Sequence, residues 1–350
     1  MGFDYKQFKH TNLNDPFFDS LKADYAEFED WFGRKAENWA YVFEQQDTGE
    51  IDGFLYLKVE DGAVDDVNPP LPEKRRIKVG TFKINAHGTK LGERFVKKIF
   101  DHAIQEKAEE LYVTVFEKHA GLIALLTKYG FETVATKATD NGVENVMIRS
   151  MVWDDYAGRE KNYPLIKLDG SYYQVGIHPG YHTRLLPDSI LNNEDVNIVR
   201  DISHTNSINK IYIAAMQGLM GLRPGDKIVM YRTGDGQGPA EYRAVATSLC
   251  VVEEVRHLDS FPTEGDFVNY ARPHSVFPDD ELRGFYRSRR YPFIVRFTYN
   301  IALRRRLTRH HLIESIGISR DAYPGFLRLT VEQFKAIARD GGVDESLIVD

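Results

Sequence analysis

A chain of 350 residues is about twice a comfortable single domain, so two domains with cores of their own are expected. Its 42% hydrophobic and 28% charged content, with 27 glycines and 14 prolines, excludes a disordered or collagen-like polymer. The lone cysteine, Cys250, excludes an intrachain disulfide scaffold and is expected to be a buried apolar side chain. The formal charge of −7 is uneven: residues 1–160 carry 21 Lys and Arg against 29 Asp and Glu, residues 161–350 carry 24 against 23. In the second half the bases are 19 Arg to 5 Lys, and the planar guanidinium suits phosphate and base edges. MGFDYKQFKH has no apolar signal region and no window reads as a membrane span, so a cytoplasmic, non-membrane protein is expected.

Along the chain, aromatics from Phe17 to Phe32 fall mostly at helical spacing after Asp15-Pro16, predicting a helix over 15–38. Strands are predicted at Trp39 to Gln45, Asp52 to Glu60 and Arg75 to Ile84, with an irregular loop over 61–74 around VNPPLPEK. A helix from Leu91 to Ala108, a strand from Leu111 to Phe116, a helix from Ala120 to Tyr129 and two more β segments complete a mixed sheet covered by helices. The polar stretch Tyr156 to Gly170 suggests domains 1–158 and 159–350. Beyond it come many short strands, helices near 279–286 and 308–314, and a final helix over 331–338 capped by Thr330, which together predict a mainly β small barrel.

The sharpest local feature is TFKINAHGTKLGERFVKKIFDHAI. A strand ends near Ile84, glycines 88 and 92 sit in the turn, and a helix starts at once. Backbone N–H groups there would face a phosphate while the glycines permit close approach. The ligand-binding stretch is therefore placed at Ile84, Asn85 and Ala86 of the strand end, His87, Gly88 and Thr89 of the turn, and Lys90, Leu91, Gly92, Glu93 and Arg94 of the helix start. The GKS/T ending of a P-loop and the GxGxxG of a Rossmann turn are both missing.

On these residues, and on IALLTKYGFETV (123–134), the first 150 residues resemble the GNAT superfamily of N-acetyltransferases. His87-Gly88-Thr89-Lys90-Leu91-Gly92 corresponds to that family's Q/R-x-x-G-x-G/A signature, with His87 and Lys90 departing from it. The resemblance implies an α/β GNAT-like domain binding acetyl-CoA or another acyl-CoA, acylating an amine, with an oxyanion site at Asn85 and Ala86. The family's general-acid tyrosine is Leu126 here. Proton transfer therefore falls to His119 or Glu117, which follow the fifth strand, to Tyr129, or to solvent.

LRPGDKIVMYRTG (222–234), YRAVATSLCVVEEV (242–255) and YPGFLRLTVEQFKAI (323–337) resemble the PUA-like superfamily, including ASCH and EVE domains, which implies a cleft for RNA, a nucleotide or a nucleic-acid-associated substrate. Tyr173, His178, Arg184, Arg232 and the cluster Arg304, Arg305 and Arg306 supply rings and donors for such a ligand. No metal site is expected, since His310-His311 lacks supporting ligands. Two rivals stand beside the acyltransferase: a nonenzymatic RNA- or modified-base-binding protein with a degenerate first domain, and an acetyltransferase whose second domain docks a partner protein.

Overall fold

Alternation along the strands of the first half puts successive side chains on opposite faces of one sheet, and helices cover both. The computed structural model describes residues 2–45, 48–85, 90–186, 189 and 208–350, and the chain divides into units Met1–Tyr163 and Pro164–Asp350. In the first unit the strands are β1 Gly2–Gln7, β2 Trp39–Glu44, β3 Ile51–Val64, β4 Leu71–Ile84, β5 Glu110–Phe116, β6 Glu132–Thr139 and β7 Gly142–Ser150. They run in the order β1-β2-β3-β4-β5-β7-β6, antiparallel except for the parallel pair β4/β5.

The predicted 15–38 helix is a 3-10 turn, Pro16–Phe18, followed by α1 Asp19–Asp24 and α2 Phe28–Arg34. Asp15 caps it by accepting from the Phe17 amide, and the break comes at Tyr25, which is extended. Phe18 and Phe32 of this region, with Phe8 before it, pack on Phe54 of β3, and Phe28 packs on Phe18 and Phe32. One residue earlier, Gly53 faces the other side, where a Cβ would stand 2.3 Å from the ring of Phe95 in α3 (Leu91–Glu106). Next come α4 Ala120–Lys128 and α5 Arg159–Asn162. Gly130, after α4, has φ +84°, and a Cβ there would meet the Lys161 carbonyl at 2.4 Å. The expected irregular loop over 61–74 is largely strand, because β3 and β4 stay paired as far as Val64 and Leu71.

In the second unit β8 Ile166–Lys167 pairs with β15 Ile348–Val349. β9 Tyr172–Ile177, β10 Asn209–Ala214, β11 Lys227–Arg232, β12 Val245–His257, β13 Phe293–Thr308 and β14 Phe326–Leu329 form a sheet in the order β10-β13-β12-β11-β9-β14. The expected small barrel is not formed: among the described residues β10 and β14 are free edges and no ladder joins them. Register shifts in the β12/β13 ladder bend those strands. Where β10 comes back toward β9, a side chain takes the place of a ladder, the Tyr212 hydroxyl donating to the Gly176 carbonyl at 2.8 Å. Cys250 is fully buried in this unit's core. Thr330 caps the final helix, Val331–Asp340, in a reciprocal box with Gln333.

Candidate active site

One opening of the first unit begins with a glycine. β4 pairs with β5 only from Arg76↔Glu110 to Val79↔Val113, although both strands continue. Against β3 the register slips between Tyr56↔Thr81 and Leu57↔Val79, which leaves Gly80 with no partner in either ladder. Such a bulge bends its strand. A Cβ on Gly80 would also stand 2.7 Å from the Tyr56 ring. β4 therefore turns away from β5 at Gly80, and a cavity of about 360 Å³ occupies the split, walled by Val79 to Phe82 on one side and Val113 to Val115 on the other.

His119 lines this cavity from the N-cap position of α4, and its Nε2 lies 3.2 Å from Asp24 Oδ2. The carboxylate lies against the Nε2 edge of the ring and pairs with it when the imidazole is protonated. Tyr25, extended between α1 and α2, enters the same cavity and donates to Glu144 Oε1 at 2.7 Å. Burial, together with the Glu144 carboxylate, raises the Tyr25 phenol well above its usual range, so it stays protonated. Lys78 lines the cavity too, and burial lowers its pKa.

Of the other proposed proton carriers, Glu117 is solvent-exposed and Tyr129 is fully buried, its ring 6.1 Å from that of Tyr163. Burial raises the Tyr129 phenol first, Glu93 adding to the rise. Neither belongs to the cavity wall. At the expected oxyanion position the Asn85 amide already donates to the Asp52 carbonyl at 2.8 Å. Ala86, His87, Gly88 and Thr89 lie outside the described residues. Ile84 is half-buried at the end of β4, and Lys90 precedes α3 with Nζ 3.6 Å from Glu93. Leu91, Gly92, Glu93 and Arg94 are all buried in the first turn. Glu93, the acid at that dipole end, pairs with Lys128 at 2.8 Å, and the Arg94 guanidinium lies 5.0 Å over the Phe43 ring. A Cβ on Gly92 would meet Leu125 at 2.8 Å and Ile84 at 3.2 Å, so this glycine serves helix packing.

Gly80, Tyr25 and Glu144 are the site residues that sequence reasoning passed over. A lone glycine inside a strand is a bulge signal that was there to be read. Tyr25 is hidden among core aromatics at helical spacing, and nothing local marks Glu144.

In the second unit, a cavity of about 330 Å³ fills the gap between β10 and β9 with its helix α6 (Pro179–Leu185). Its wall mixes aliphatic side chains with the rings of His178, Tyr181, Tyr212, Phe277, Phe285 and Tyr291. His178 thus belongs to a cleft, and Arg184 lies beside it, 5.7 Å over Phe277 and bonded to the Val276 carbonyl. Tyr173 instead stacks on Phe326 at 5.3 Å, and Arg232 is buried. Arg304, Arg305 and Arg306 stand on β13, the first two exposed and without a carboxylate partner among the described residues. Other arginines of this unit are paired, Arg287 with Glu264 at 2.7 Å and Arg272 with Asp279 at 2.5 Å. Glu241, His310 and Glu314 converge, but Arg320 already bridges both carboxylates at 2.7 Å.

No family model and no curated protein matches the chain. Among solved structures, the NatC complex bound to Gag peptide and CoA is similar at a TM-score of 0.30 and 16% identity, over 43% of this chain and 100% of that one. A GNAT-family acetyltransferase from Streptococcus agalactiae is similar at 0.27 and 14%, over 36% and 70%. A mutant form of the ZmASCH protein from Zymomonas mobilis is similar at 0.30 and 8%, over 48% and 95%. Likeness this faint carries no chemistry to the chain. No helix among the described residues is long and apolar enough to cross a membrane.

Proposed function

We propose that the first unit is an acyl-CoA-dependent N-acyltransferase, with acetyl-CoA as donor and an amine as acceptor. The observation that carries this reading is the split of parallel strands at an unpaired glycine. It exposes main chain to a cavity that also holds an oriented imidazole and a buried carboxylate. Acyl transfer needs a polarised thioester carbonyl, a deprotonated amine and a protonated leaving thiolate. The Gly80 amide, left over by both ladders, is the donor available for the carbonyl oxygen. His119, held by Asp24, is the proton source for the sulfur. The helix α3, 16 residues long, starts close after the end of β4, and its first-turn acid is already neutralised by Lys128. A pyrophosphate at that end would thus meet a favourable dipole. Calorimetric titration of the chain with acetyl-CoA, followed by thiol release with amine acceptors, tests the reading. Saturable binding with amine-dependent release is expected, and no binding at millimolar donor overturns it.

The ring-lined cleft of the second unit supports a second element of the reading, selection of RNA, a nucleotide or a nucleic-acid-linked acceptor. Rings on several elements suit stacking of a planar base, and Arg304 and Arg305 are exposed cations without a carboxylate partner among the described residues. Binding of single-stranded RNA measured at two salt concentrations checks it. Salt-dependent affinity is expected, and its absence favours a protein-docking role for these arginines.

A further inference from the structure

Among the described residues the cleft of the first unit contains one buried anion that the protein's own cations leave alone; Glu27, which also lines it, is exposed and bonded to Asn141. Glu60 is satisfied by Lys58 at 2.9 Å, with Lys78 at 3.8 Å and the Tyr112 hydroxyl nearby. Asp24 is satisfied by Lys118 at 2.5 Å and by His119. Glu144 differs. It is 4% exposed, lines the cavity, and among the described residues has a single polar side-chain partner, the Tyr25 hydroxyl. Lys137 stands directly across the β6/β7 ladder from it, yet gives its ammonium to Asp66 at 2.5 Å. A buried carboxylate without a counterion is expensive to keep, and one phenol donor offsets only part of that. The rest of the wall is mixed, with Lys35, Lys58 and Lys78 beside apolar and aromatic side chains. Leu21, Phe28 and Leu122 line the cavity, as does Trp31, which is stacked on Phe28 at 5.6 Å and edge-on to Tyr56 at 6.0 Å.

We propose that Glu144 is the counterion for the acceptor's ammonium group, and that the acceptor is a primary alkylammonium carried on an aromatic body. The inference rests on the acyltransferase reading only for what happens after binding. The ammonium gives one N–H proton to the Glu144 carboxylate, and the freed nitrogen lone pair forms the C–N bond at the thioester carbonyl. The C–S bond breaks with its electron pair on sulfur, which takes up a proton from His119. The amide nitrogen loses its second proton to return His119 to its starting state, and Glu144 releases its own proton to solvent. The cavity, about 360 Å³, has room for one ring on a short chain, and the aromatic side chains of its wall would add cation–π attraction to the ion pair.

The test uses the full chain and 2-phenylethylamine as probe, with 2-phenylethanol as its uncharged counterpart, both by calorimetry. The amine is expected to bind wild type at least tenfold more tightly than the alcohol. Glu144→Gln is expected to erase that preference while acetyl-CoA affinity stays within twofold. Tyr25→Phe, which keeps the carboxylate, is expected to retain the preference. Equal binding of amine and alcohol by wild type would overturn the proposal, as would a preference that survives in folded Glu144→Gln or vanishes in folded Tyr25→Phe. The wild-type comparison needs no variant to fold. A peptide beginning with phenylalanine, run beside the free amine, tells whether the ammonium comes from a small amine or a chain terminus. Amine preference without acetyl-CoA binding would remove the acyltransferase reading and leave the cation site standing. Acetyl-CoA binding without amine preference would do the reverse.

Discussion

The two clefts considered, one in each unit, both form where a β-ladder stops, and the ladders stop for different reasons. In the first unit β4 and β5 stay in one sheet but diverge at the Gly80 bulge, so main chain and polar side chains line the space. In the second unit the sheet fails to close, and Tyr212 and other rings occupy the gap beside β10. A diverging ladder presents unpaired amides suited to a developing negative charge. An unclosed edge plugged by rings presents flat apolar faces suited to stacking. Under the proposed reading, chemistry belongs to the first opening and recognition to the second.

Filling one opening should break one function and spare the other. Thr114→Trp places an indole in the split between β4 and β5, and acetyl-CoA affinity is expected to fall about a hundredfold or more, with RNA binding unchanged. Calorimetry on both ligands checks it.

A second contrast concerns acid stability. His182, fully buried in the second unit with Nε2 2.8 Å from Thr247 Oγ1, is pushed down to about 3 by burial first and by Arg232 and Arg306 after it. The unfolded chain takes up that proton near 6.5 and the folded chain only near 3, so stability falls as pH falls through this window and is flat above it. At pH 5 the loss from this group is about 2 kcal/mol, roughly thirtyfold in the folding equilibrium. Urea unfolding at pH 7.5 and 5 should show it in wild type and not in His182→Asn. An equal loss in both proteins would assign the effect elsewhere.

His119→Ala should lower turnover at saturating acetyl-CoA about tenfold or more while leaving donor affinity within twofold, since a general acid acts on the leaving group and not on binding. Steady-state thiol release across a pH series reads it, and an unchanged profile would make solvent the proton source. The smallest expected effect lies in the second unit. Reversing Arg304 and Arg305 to glutamate should weaken RNA binding several-fold at moderate salt and flatten its salt dependence by about 1.4 in log–log slope, two phosphate contacts at ~0.7 each.

Much of the first unit was legible in its residues. The strand at 75–84, the helix from Leu91 and the strand-helix-strand run after it lie where apolar periodicity put them, and Asp15 and Thr330 cap as their positions suggest. The capping box of Thr263 and Asp266, which starts a helix at Glu264–Ala271, was present in the sequence and passed unread. β1 escaped because an edge strand with half of its pattern polar has little local signature. The site was less legible than the fold. His119 could be placed because it directly follows an apolar strand. Glu144 could not, because it reaches the cleft through register, standing opposite Phe116 at the far end of β5, and register is a property of pairing between distant segments. The open sheet of the second unit was likewise out of reach, since the number of short strands does not say whether the first and last of them meet.

Acyl-CoA is proposed to enter the sheet where β4 and β5 part. Amide hydrogen exchange with and without saturating acetyl-CoA tests it most directly. Added protection is expected only at residues 79–84 and 113–116 and the start of α3, and none at 211–216 beside the second cleft. Unchanged exchange along β4 and β5 in donor-saturated protein, or protection at 211–216 alone, would contradict it.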